Sequence, residues 1–205
     1  ALGNESARVC GFAPNIVING KRSAFFGYWE GSADVAHHRP LFRAAEKWSR
    51  KLGADVLYGP INWTTYGRYR IRLSGFDNGA PFNGEPYNPE YYSQLLSQLG
   101  YACSRSYLTG RGNEFFIPAF ASGYAQIEQY FATLGWRFVT LDESFWSSRI
   151  EDIYPIFIDI WKDTFGFMPV TLAQFKASFG AEALRTLDPN CSVALVDQSD
   201  ALIGY

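Results

Sequence analysis

Residues 59–101 read GPINWTTYGRYRIRLSGFDNGAPFNGEPYNPEYYSQLLSQLGY, and the rest of the chain is arranged around them. The segment begins at the end of an apolar run and closes with a short amphipathic helix. Between these two ends it is dense in Gly, Pro, Asn, Arg and aromatic residues. Loops of this length inside a compact domain are usually functional or disordered, and disordered segments are poor in aromatic side chains. The composition therefore favours an ordered binding loop, with a structural lid over a core as the alternative.

The overall composition excludes several classes of protein. A chain of 205 residues forms one large domain or two small ones. A net charge of −2 gives no nucleic-acid footprint, and no apolar run reaches the roughly 18 residues of a membrane span. We therefore expect neither a nucleic-acid nor a membrane partner. The N-terminus lacks the pattern of a signal peptide, and the three widely spaced cysteines indicate reduced core thiols in a cytoplasmic protein.

The apolar patterning predicts an α+β chain. The pair Asn19-Gly20 predicts a hairpin turn because both residue types tolerate positive φ. The polar run TGRGN at 109–113 marks a boundary, after which the pattern restarts. Strands are predicted over residues 7–16, 23–29, 55–58, 101–108, 136–141, 192–196 and 201–205. Helices are predicted over residues 39–52, 89–99, 121–134, 148–165 and 171–179.

Two motifs carry a resemblance to a known family. GPINWT, followed by GFDNGAPFNGEPYNPEYY, resembles a tandem-type branch of the GNAT (acyl-CoA N-acyltransferase) superfamily. The resemblance implies a mixed, mainly antiparallel sheet flanked by helices, with acyl-CoA bound where the fourth and fifth strands of the family splay apart. It also implies acetyl-CoA or another acyl-CoA as a cosubstrate, with no tightly bound cofactor.

The two halves of the chain resemble different parts of that fold. Residues 1–112 resemble the C-terminal part of a first GNAT-like domain, from its third to its sixth strand, and residues 113–135 form a linker helix. Residues 136–205 resemble the N-terminal part of a second domain, from its first to its third strand. Two organisations follow: the chain is a piece of a longer tandem protein, or the two partial copies complete one permuted sheet.

The resemblance also implies where a CoA pyrophosphate would bind. In the family it lies on backbone N–H groups where a Gly-rich loop opens a helix, because helix N-termini attract anions. The equivalent stretch here, GSADVAHHRP at 31–40, has one glycine and carries Asp34, which departs from the family pattern. The residues implied at the cofactor are Tyr28, Trp29, Ser32 and Arg39.

Two residues are candidates for proton transfer. Glu85, in the sequence GEPYN, can act as a general base for an amine; the alternative is a capping or Arg-paired carboxylate. In the family a tyrosine four residues before the glycine that ends the helix often protonates the departing thiolate. Leu96 occupies that position here. Tyr91 and Tyr92, one turn earlier, could reach the cleft; Tyr92 is the candidate acid, and packing or substrate contact is the more frequent role of such residues.

The loop also supplies the predicted substrate contacts. Arg68, Arg70 and Arg72 share one face if their segment is extended, where they could hold a carboxylate or phosphate or form a solvated edge. The aromatic residues could stack on a planar ligand or form a satellite core. The only histidines, His37 and His38, are adjacent and have no further ligands at suitable spacing, so we expect no metal site. The predicted substrate-binding residues are Asn62, Trp63, Tyr66, Arg68, Arg70, Phe76, Tyr87 and Asn88.

Three hypotheses about function remain open. The first is a GNAT-like acyltransferase that moves an acyl group from a CoA thioester to an amine of a small molecule or peptide. The second is a non-catalytic GNAT-like binding module with a degraded pyrophosphate loop. The third is a structural or interaction protein. A small-molecule or peptide substrate is the expected partner, and the sequence is compatible with a homodimer.

Overall fold

The computed structural model describes residues 2–3, 6–110, 112–180, 184–185 and 187–205. It divides into two compact units, Ala1–Ser106 with Asp163–Met168, and Tyr107–Lys162 with Pro169–Tyr205. Both units are α+β, with small, mainly antiparallel sheets flanked by helices. Of the predicted linker at 109–113, Arg111 lies outside the described residues.

The first unit is built on a four-stranded sheet with the order β1-β2-β3-β4. The strands are β1 (Leu2–Gly3), β2 (Ala7–Ile18), β3 (Lys21–Gly31) and β4 (Val56–Tyr58). The first three are antiparallel, and β4 runs parallel to β3. The predicted hairpin at Asn19-Gly20 is confirmed, with φ values of 51° and 75° at its two turn residues.

The central strand β3 is buried on both faces. One face packs against helix α1 (Val35–Lys51) and helix α2 (Tyr92–Gln98) through Phe26, Phe42 and Leu95. On the other face Phe25 and Ile18 pack with Ile61, and Phe165 and Met168 pack against this group. The inserted segment Asp163–Met168 thus supplies part of the core of the first unit.

The second unit carries its own sheet. Strands β5 (Arg137–Thr140), β6 (Val193–Val196) and β7 (Leu202–Gly204) pair antiparallel in the order β5-β6-β7. Its helices are α3 (Phe116–Thr133), α4 (Glu143–Trp161) and α5 (Leu172–Ser178). Its core buries Ile153, Phe157 and Phe175, and the rings of Phe157 and Phe175 are centred 4.9 Å apart. The assignment of the two halves to parts of GNAT-like domains stays a prediction.

Two helices begin earlier than predicted because a carboxylate caps each of them. Asp34 accepts the N–H of Ala36 (2.9 Å), so α1 begins at Val35 rather than at 39. Asp142 accepts the N–H of Phe145 (2.7 Å), so α4 begins at Glu143 rather than at 148. A side-chain acceptor at this position satisfies N–H groups that have no partner within the helix. Thr171 caps α5 as predicted, in a capping box with Gln174.

Two other expectations are wrong. Residues 101–108 form no strand: Tyr101 packs against the core, but the residues from 102 to 108 are exposed and pair with no described strand. An isolated extended segment has nothing to satisfy its backbone groups except water.

The cysteines are unpaired but are not core thiols, since Cys10 is half-buried and Cys103 and Cys191 are exposed. Within the described ranges, none of the helices has both the length and the apolarity that crossing a bilayer requires.

Candidate functional site

Strand β4, which runs parallel to β3, leads into the loop 59–101 at its C-terminal end. Beyond the end of β4, the N–H of Ile61 still donates to the carbonyl of Phe26 (2.7 Å). Gly27 permits this approach, since a Cβ there would lie 2.2 Å from the carbonyl oxygen of Ile61. One residue further on, Asn62 Oδ1 accepts the N–H of Tyr28 (2.7 Å). The side chain of Asn62 therefore accepts the hydrogen bond that the backbone of β3 offers here. This is the point at which the family resemblance expects the two strands to splay apart.

Two aromatic residues at this strand end have strained backbones. Tyr28 has φ 44° and Trp63 has φ 72°, in the left-handed region that side chains with a Cβ disfavour. Both are exposed, Tyr28 by 49% and Trp63 by 58%, and both ring edges contact Phe12, at centroid distances of 5.9 and 5.4 Å. We call Phe12, Tyr28 and Trp63 the Tyr28–Trp63 surface. Strained residues cluster at functional sites, so this surface is a candidate for ligand contact.

Glu85 forms an ion pair with Arg70. Arg70 Nη2 lies 2.9 Å from Glu85 Oε1, and the two side chains are 26% and 27% exposed. The guanidinium also donates to the Tyr69 hydroxyl (3.4 Å) and lies over the Tyr69 ring. The carboxylate is thus held in place while a quarter of its surface stays open to solvent. Its role as a base stays a prediction.

Asn88 and Arg72 hold the loop together. Asn88 Oδ1 accepts the Arg72 N–H (2.7 Å), and Asn88 Nδ2 donates to the Arg72 carbonyl (3.3 Å). The Arg72 guanidinium donates to the carbonyls of Ser74, Gly75 and Gly79 and covers the ring of Phe76. These contacts assign Asn88, Arg72 and Phe76 to the internal structure of the loop.

The three arginines do not share a face. The segment is not an extended strand: among the described residues its only ladder contact is the isolated bridge between Ile61 and Tyr69, and Arg70 has φ 62°. Arg70 therefore points to Glu85 and Arg72 to loop carbonyls, whereas Arg68 is exposed. The segment therefore does not meet the condition for a shared arginine face, and substrate binding by Arg68 and Arg70 stays a prediction.

The remaining predicted loop contacts lie apart from these pairs. The Tyr66 hydroxyl donates to the carbonyl of Met168 (2.8 Å), and its ring edge meets Phe167. Burial raises the pKa of Tyr66 to about 12. Tyr87 is 84% exposed and is available to a ligand.

A buried histidine fixes the loop between β3 and α1. The indole Nε1–H of Trp29 donates to His38 Nδ1 (3.0 Å), and His38 Nε2 lies 2.8 Å from the carbonyl of Ser32. His38 is fully buried. Because Nδ1 accepts the hydrogen bond of the indole N–H, it is Nε2 that carries a ring hydrogen and donates a hydrogen bond to the carbonyl of Ser32. His38 therefore serves packing and loop geometry.

Two tyrosines at the N-terminal end of α2 bind the backbone N–H and the backbone carbonyl of Gly31, at the end of β3. The N–H of Gly31 donates to the Tyr92 hydroxyl (3.3 Å), and the Tyr91 hydroxyl donates to the Gly31 carbonyl (2.9 Å). The Tyr92 ring also stacks on Trp29 at 4.2 Å, and burial raises the pKa of its hydroxyl. This geometry supports a positioning role for Tyr92.

The N-terminus of α1 is occupied by protein groups. Asp34 caps it with a negative charge, at the place where the resemblance expects an anionic pyrophosphate. The Ser32 hydroxyl lies 2.8 Å from His37 Nδ1, and Arg39 Nη2 donates to the Gln98 carbonyl (3.3 Å). Of the four predicted cofactor residues, Tyr28 and Trp29 are neighbours on β3, but the first is exposed and the second is buried. Ser32 and Arg39 have hydrogen-bond partners within the protein.

Several of these contacts escape prediction from sequence. The Ser32–His37 and Trp29–His38 bonds join residues close in sequence, so spacing alone could have suggested them. The Gly31–Tyr91 bond and the contact of Phe12 with Trp63 join distant segments and have no local signal.

A separate cavity of about 270 Å³ lies between α1 and β4, lined by Glu46, Arg50, Asp55 and Tyr101 among others. No group of three or more metal-ligating side chains occurs among the described residues.

Comparison with known proteins finds two distant relatives. The chain is 27% identical over 176 residues, 85% of its length, to the bacterial ceramide synthase of Caulobacter vibrioides, of which the match covers 44%. It is 24% identical over 189 residues, 91% of its length, to protein YghO of Escherichia coli, of which the match covers 46%. The chain thus spans about half the length of the curated relatives it matches. No family model and no solved structure matches the chain.

Proposed function

We propose that this chain belongs to an acyltransferase that moves an acyl group from a CoA thioester to the amine of a long-chain amino alcohol. The observation that carries the proposal is the similarity of 85% of the chain to a bacterial ceramide synthase. Ceramide is an amide of a fatty acid with such an amine. In the reaction the thioester C–S bond breaks and a C–N bond forms. The CoA leaves as a thiol, and the amine gives up its proton.

The strand end supplies a surface suited to such substrates. The Tyr28–Trp63 surface exposes two large rings beside the loop 59–101, and aromatic rings bind alkyl chains and planar groups alike. The same loop also carries the ion pair of Arg70 and Glu85. In the proposal the loop selects the acceptor, and exposed Trp63, Arg68 and Tyr87 contact it.

Glu85 is the proposed base. Its carboxylate is partly exposed and is oriented by Arg70, which leaves Oε2 to receive the proton of an incoming ammonium. Tyr28, Trp29, Ser32 and Arg39 would lie along the acyl-CoA, in keeping with the GNAT resemblance. Tyr92 would act as a positioning residue through Gly31.

A second candidate function has its own support. The carboxylate of Asp34 at the N-terminus of α1 and the amide of Asn62 on the Tyr28 N–H occupy two places where the GNAT resemblance expects CoA. Both contacts favour a non-catalytic binding module for this part of the chain, with the loop 59–101 as the ligand-binding element.

Thermal unfolding in the presence of acyl-CoA distinguishes the two. A ligand that binds the native state stabilises it by about 2.7 kcal/mol at a hundredfold excess over Kd. We expect acetyl-CoA and, more strongly, palmitoyl-CoA to raise the unfolding midpoint, with free CoA as the comparison. If neither thioester shifts the midpoint, the binding module becomes the better account.

The base is tested separately by Glu85→Gln. We expect this variant to retain the palmitoyl-CoA shift but to lose acyl transfer to a long-chain amino alcohol, followed by mass spectrometry of the amide. The matched control is Glu90→Gln, which neutralises an exposed carboxylate of the same segment and should leave transfer unchanged. Full transfer by Glu85→Gln would remove Glu85 from the mechanism.

A further inference from the structure

A serine and a histidine form a hydrogen-bonded pair at the start of α1. The hydroxyl oxygen of Ser32 lies 2.8 Å from Nδ1 of His37, and both side chains are partly exposed. The other histidine of the chain, His38, is fully buried, and its ring nitrogens bind the indole of Trp29 and the carbonyl of Ser32. His37 is therefore the histidine that a substrate can approach. A hydroxyl within hydrogen-bond distance of an imidazole is the arrangement that activates a serine as a nucleophile.

The backbone of Ser32 is fixed on both sides of the side chain. Its N–H donates to the carbonyl of Ser6 (3.0 Å), and its carbonyl accepts the hydrogen bond of His38 Nε2 (2.8 Å). The hydroxyl is thus presented from a held backbone while it remains partly accessible. A reacting group that is already oriented loses less conformational freedom on the way to the transition state.

The imidazole of His37 is positioned by the helix. His37 lies in the first turn of α1, and its backbone N–H donates to the carbonyl of Asp34 (3.2 Å). Its bond with Ser32 places the serine hydroxyl beside this turn, where the partial positive charge of the helix N-terminus favours a developing anion. The carboxylate of Asp34 at the same end offsets part of this effect, so we expect a slow reaction.

We propose that Ser32 is a nucleophile that takes up the acyl group before the amine receives it, with His37 as its base. The inference rests on the proposed function, which supplies the acyl-CoA, and adds a covalent intermediate to it. In the first step the Ser32 oxygen attacks the thioester carbonyl, a C–O bond forms and the C–S bond breaks. His37 Nδ1 takes the hydroxyl proton and gives it to the departing thiolate, which leaves CoA thiol and an acyl-serine ester.

In the second step the amine attacks this ester. The C–N bond forms, the C–O bond to Ser32 breaks, and His37 carries a proton from the nitrogen to the serine oxygen. Glu85 removes the additional proton when the acceptor arrives as an ammonium ion. The two-step route releases CoA thiol before any amine is consumed, so one equivalent should appear in the absence of an acceptor.

Mass spectrometry of the acylated chain tests the proposal. After incubation with palmitoyl-CoA and no amine, we expect an acyl group on the peptide that contains Ser32. The exposed Cys103 and Cys191 can exchange with thioesters, but neutral hydroxylamine cleaves the thioesters that result and spares an oxygen ester. The label that survives hydroxylamine is therefore the one to be measured.

Four variants assign this label. Ser32→Ala should lose it, and Ser32→Cys should carry on the same peptide a label that hydroxylamine removes. His37→Asn should acylate roughly a hundredfold more slowly or worse, since a general base contributes at least that much. The matched control Ser93→Ala removes a partly exposed hydroxyl that donates to the carbonyl of Glu90 instead of a base, and it should be labelled like the unaltered chain. Thermal midpoints check that each variant folds.

Acylation by p-nitrophenyl acetate separates the two proposals, because this ester contains no CoA. Labelling of Ser32 by the ester but by no acyl-CoA contradicts the proposed function and leaves the nucleophile in place. Amide formation at an unchanged rate in Ser32→Ala contradicts the nucleophile alone. The nucleophile is also overturned if neither reagent leaves a surviving label on Ser32, or if His37→Asn is labelled as fast as the unaltered chain.

Discussion

The backbone of Trp63 adopts φ 72°, a conformation that glycine reaches without cost and that other L-residues reach at about 1–2 kcal/mol. A residue other than glycine that adopts this conformation must be stabilised there by interactions outside its own backbone. At Trp63 that reason is not burial, since the side chain is 58% exposed. The same argument applies to Tyr28, and it points to contacts with a ligand.

The strain at Trp63 can be measured by comparing two truncations. Trp63→Gly and Trp63→Ala both remove the ring and its contact with Phe12, but only the alanine keeps the disfavoured φ. We expect the glycine variant to be more stable by about 1 kcal/mol in urea unfolding. At Thr64, whose φ is not positive, the order should reverse. A more stable alanine at both positions would show that Trp63 is not strained.

At the same scale, the sequence predicts residue types better than it predicts partners. Asn62 and Glu85 were singled out from the loop by their chemistry. Pairing with an arginine is one of the two roles that the sequence predicts for Glu85, and the structure places Arg70 of the same loop in that position. That Asn62 binds the N–H of Tyr28 depends on the approach of segments 34 residues apart, for which no local pattern exists.

Among the helices and strands, helix α1 bears most directly on function. Its N-terminal N–H groups form a potential anion site, and Asp34 both caps this end and repels an anion from it. Asp34→Ser retains a capping hydroxyl while removing the charge. If CoA phosphates approach α1, this variant should bind acyl-CoA more tightly than the unaltered chain, as measured by titration calorimetry.

The capping role is checked with Asp34→Ala. This variant loses both charge and cap, so it should be less stable than Asp34→Ser by about 1 kcal/mol. An unchanged affinity in both variants would indicate that no phosphate group binds at this end of α1.

Elements with strong local signals were predicted, and those that depend on distant partners were not. The turn Asn19-Gly20 and the cap Thr171 are encoded locally, and both are confirmed. The apolar pattern predicts the start of α4 five residues late, because the cap is a carboxylate, Asp142, that lies outside the apolar periodicity. The run from 101 to 108 has strand-like residues, but no neighbouring strand pairs with it among the described residues, and strand propensity has no effect without such pairing.

At the scale of the whole molecule, three partly or fully buried tyrosines predict how stability depends on pH. Burial raises the pKa values of Tyr66, Tyr92 and Tyr101 above their usual value near 10, and that of Tyr66 reaches about 12. The folded state thus retains protons that the unfolded chain releases. Their contribution is complete below about pH 10 and is lost as the pH rises from 10 toward 12.

We therefore expect the free energy of unfolding to be insensitive to these groups near neutral pH and to fall above pH 10. Tyr66→Phe should lose about 1 kcal/mol at pH 7, because its hydrogen bond to Met168 is absent, but should show a smaller alkaline decrease. Urea unfolding from pH 7 to 12 measures both. An identical alkaline decrease in the variant would contradict the role of Tyr66.

The inserted segment Asp163–Met168 has a consequence for the order in which the chain folds. Thr65 and Tyr66 bind the carbonyls of Gly166 and Met168 across 101 and 102 positions of sequence. Such distant contacts form slowly, because the intervening chain must first be closed into a loop. On the ribosome, where synthesis adds about 5–20 residues per second, the first unit waits several seconds after Ser106 has been added before its core can close. During that interval Ile18, Phe25 and Tyr58 lack the cover of Phe165 and Met168, so the nascent chain exposes apolar side chains that the folded first unit buries.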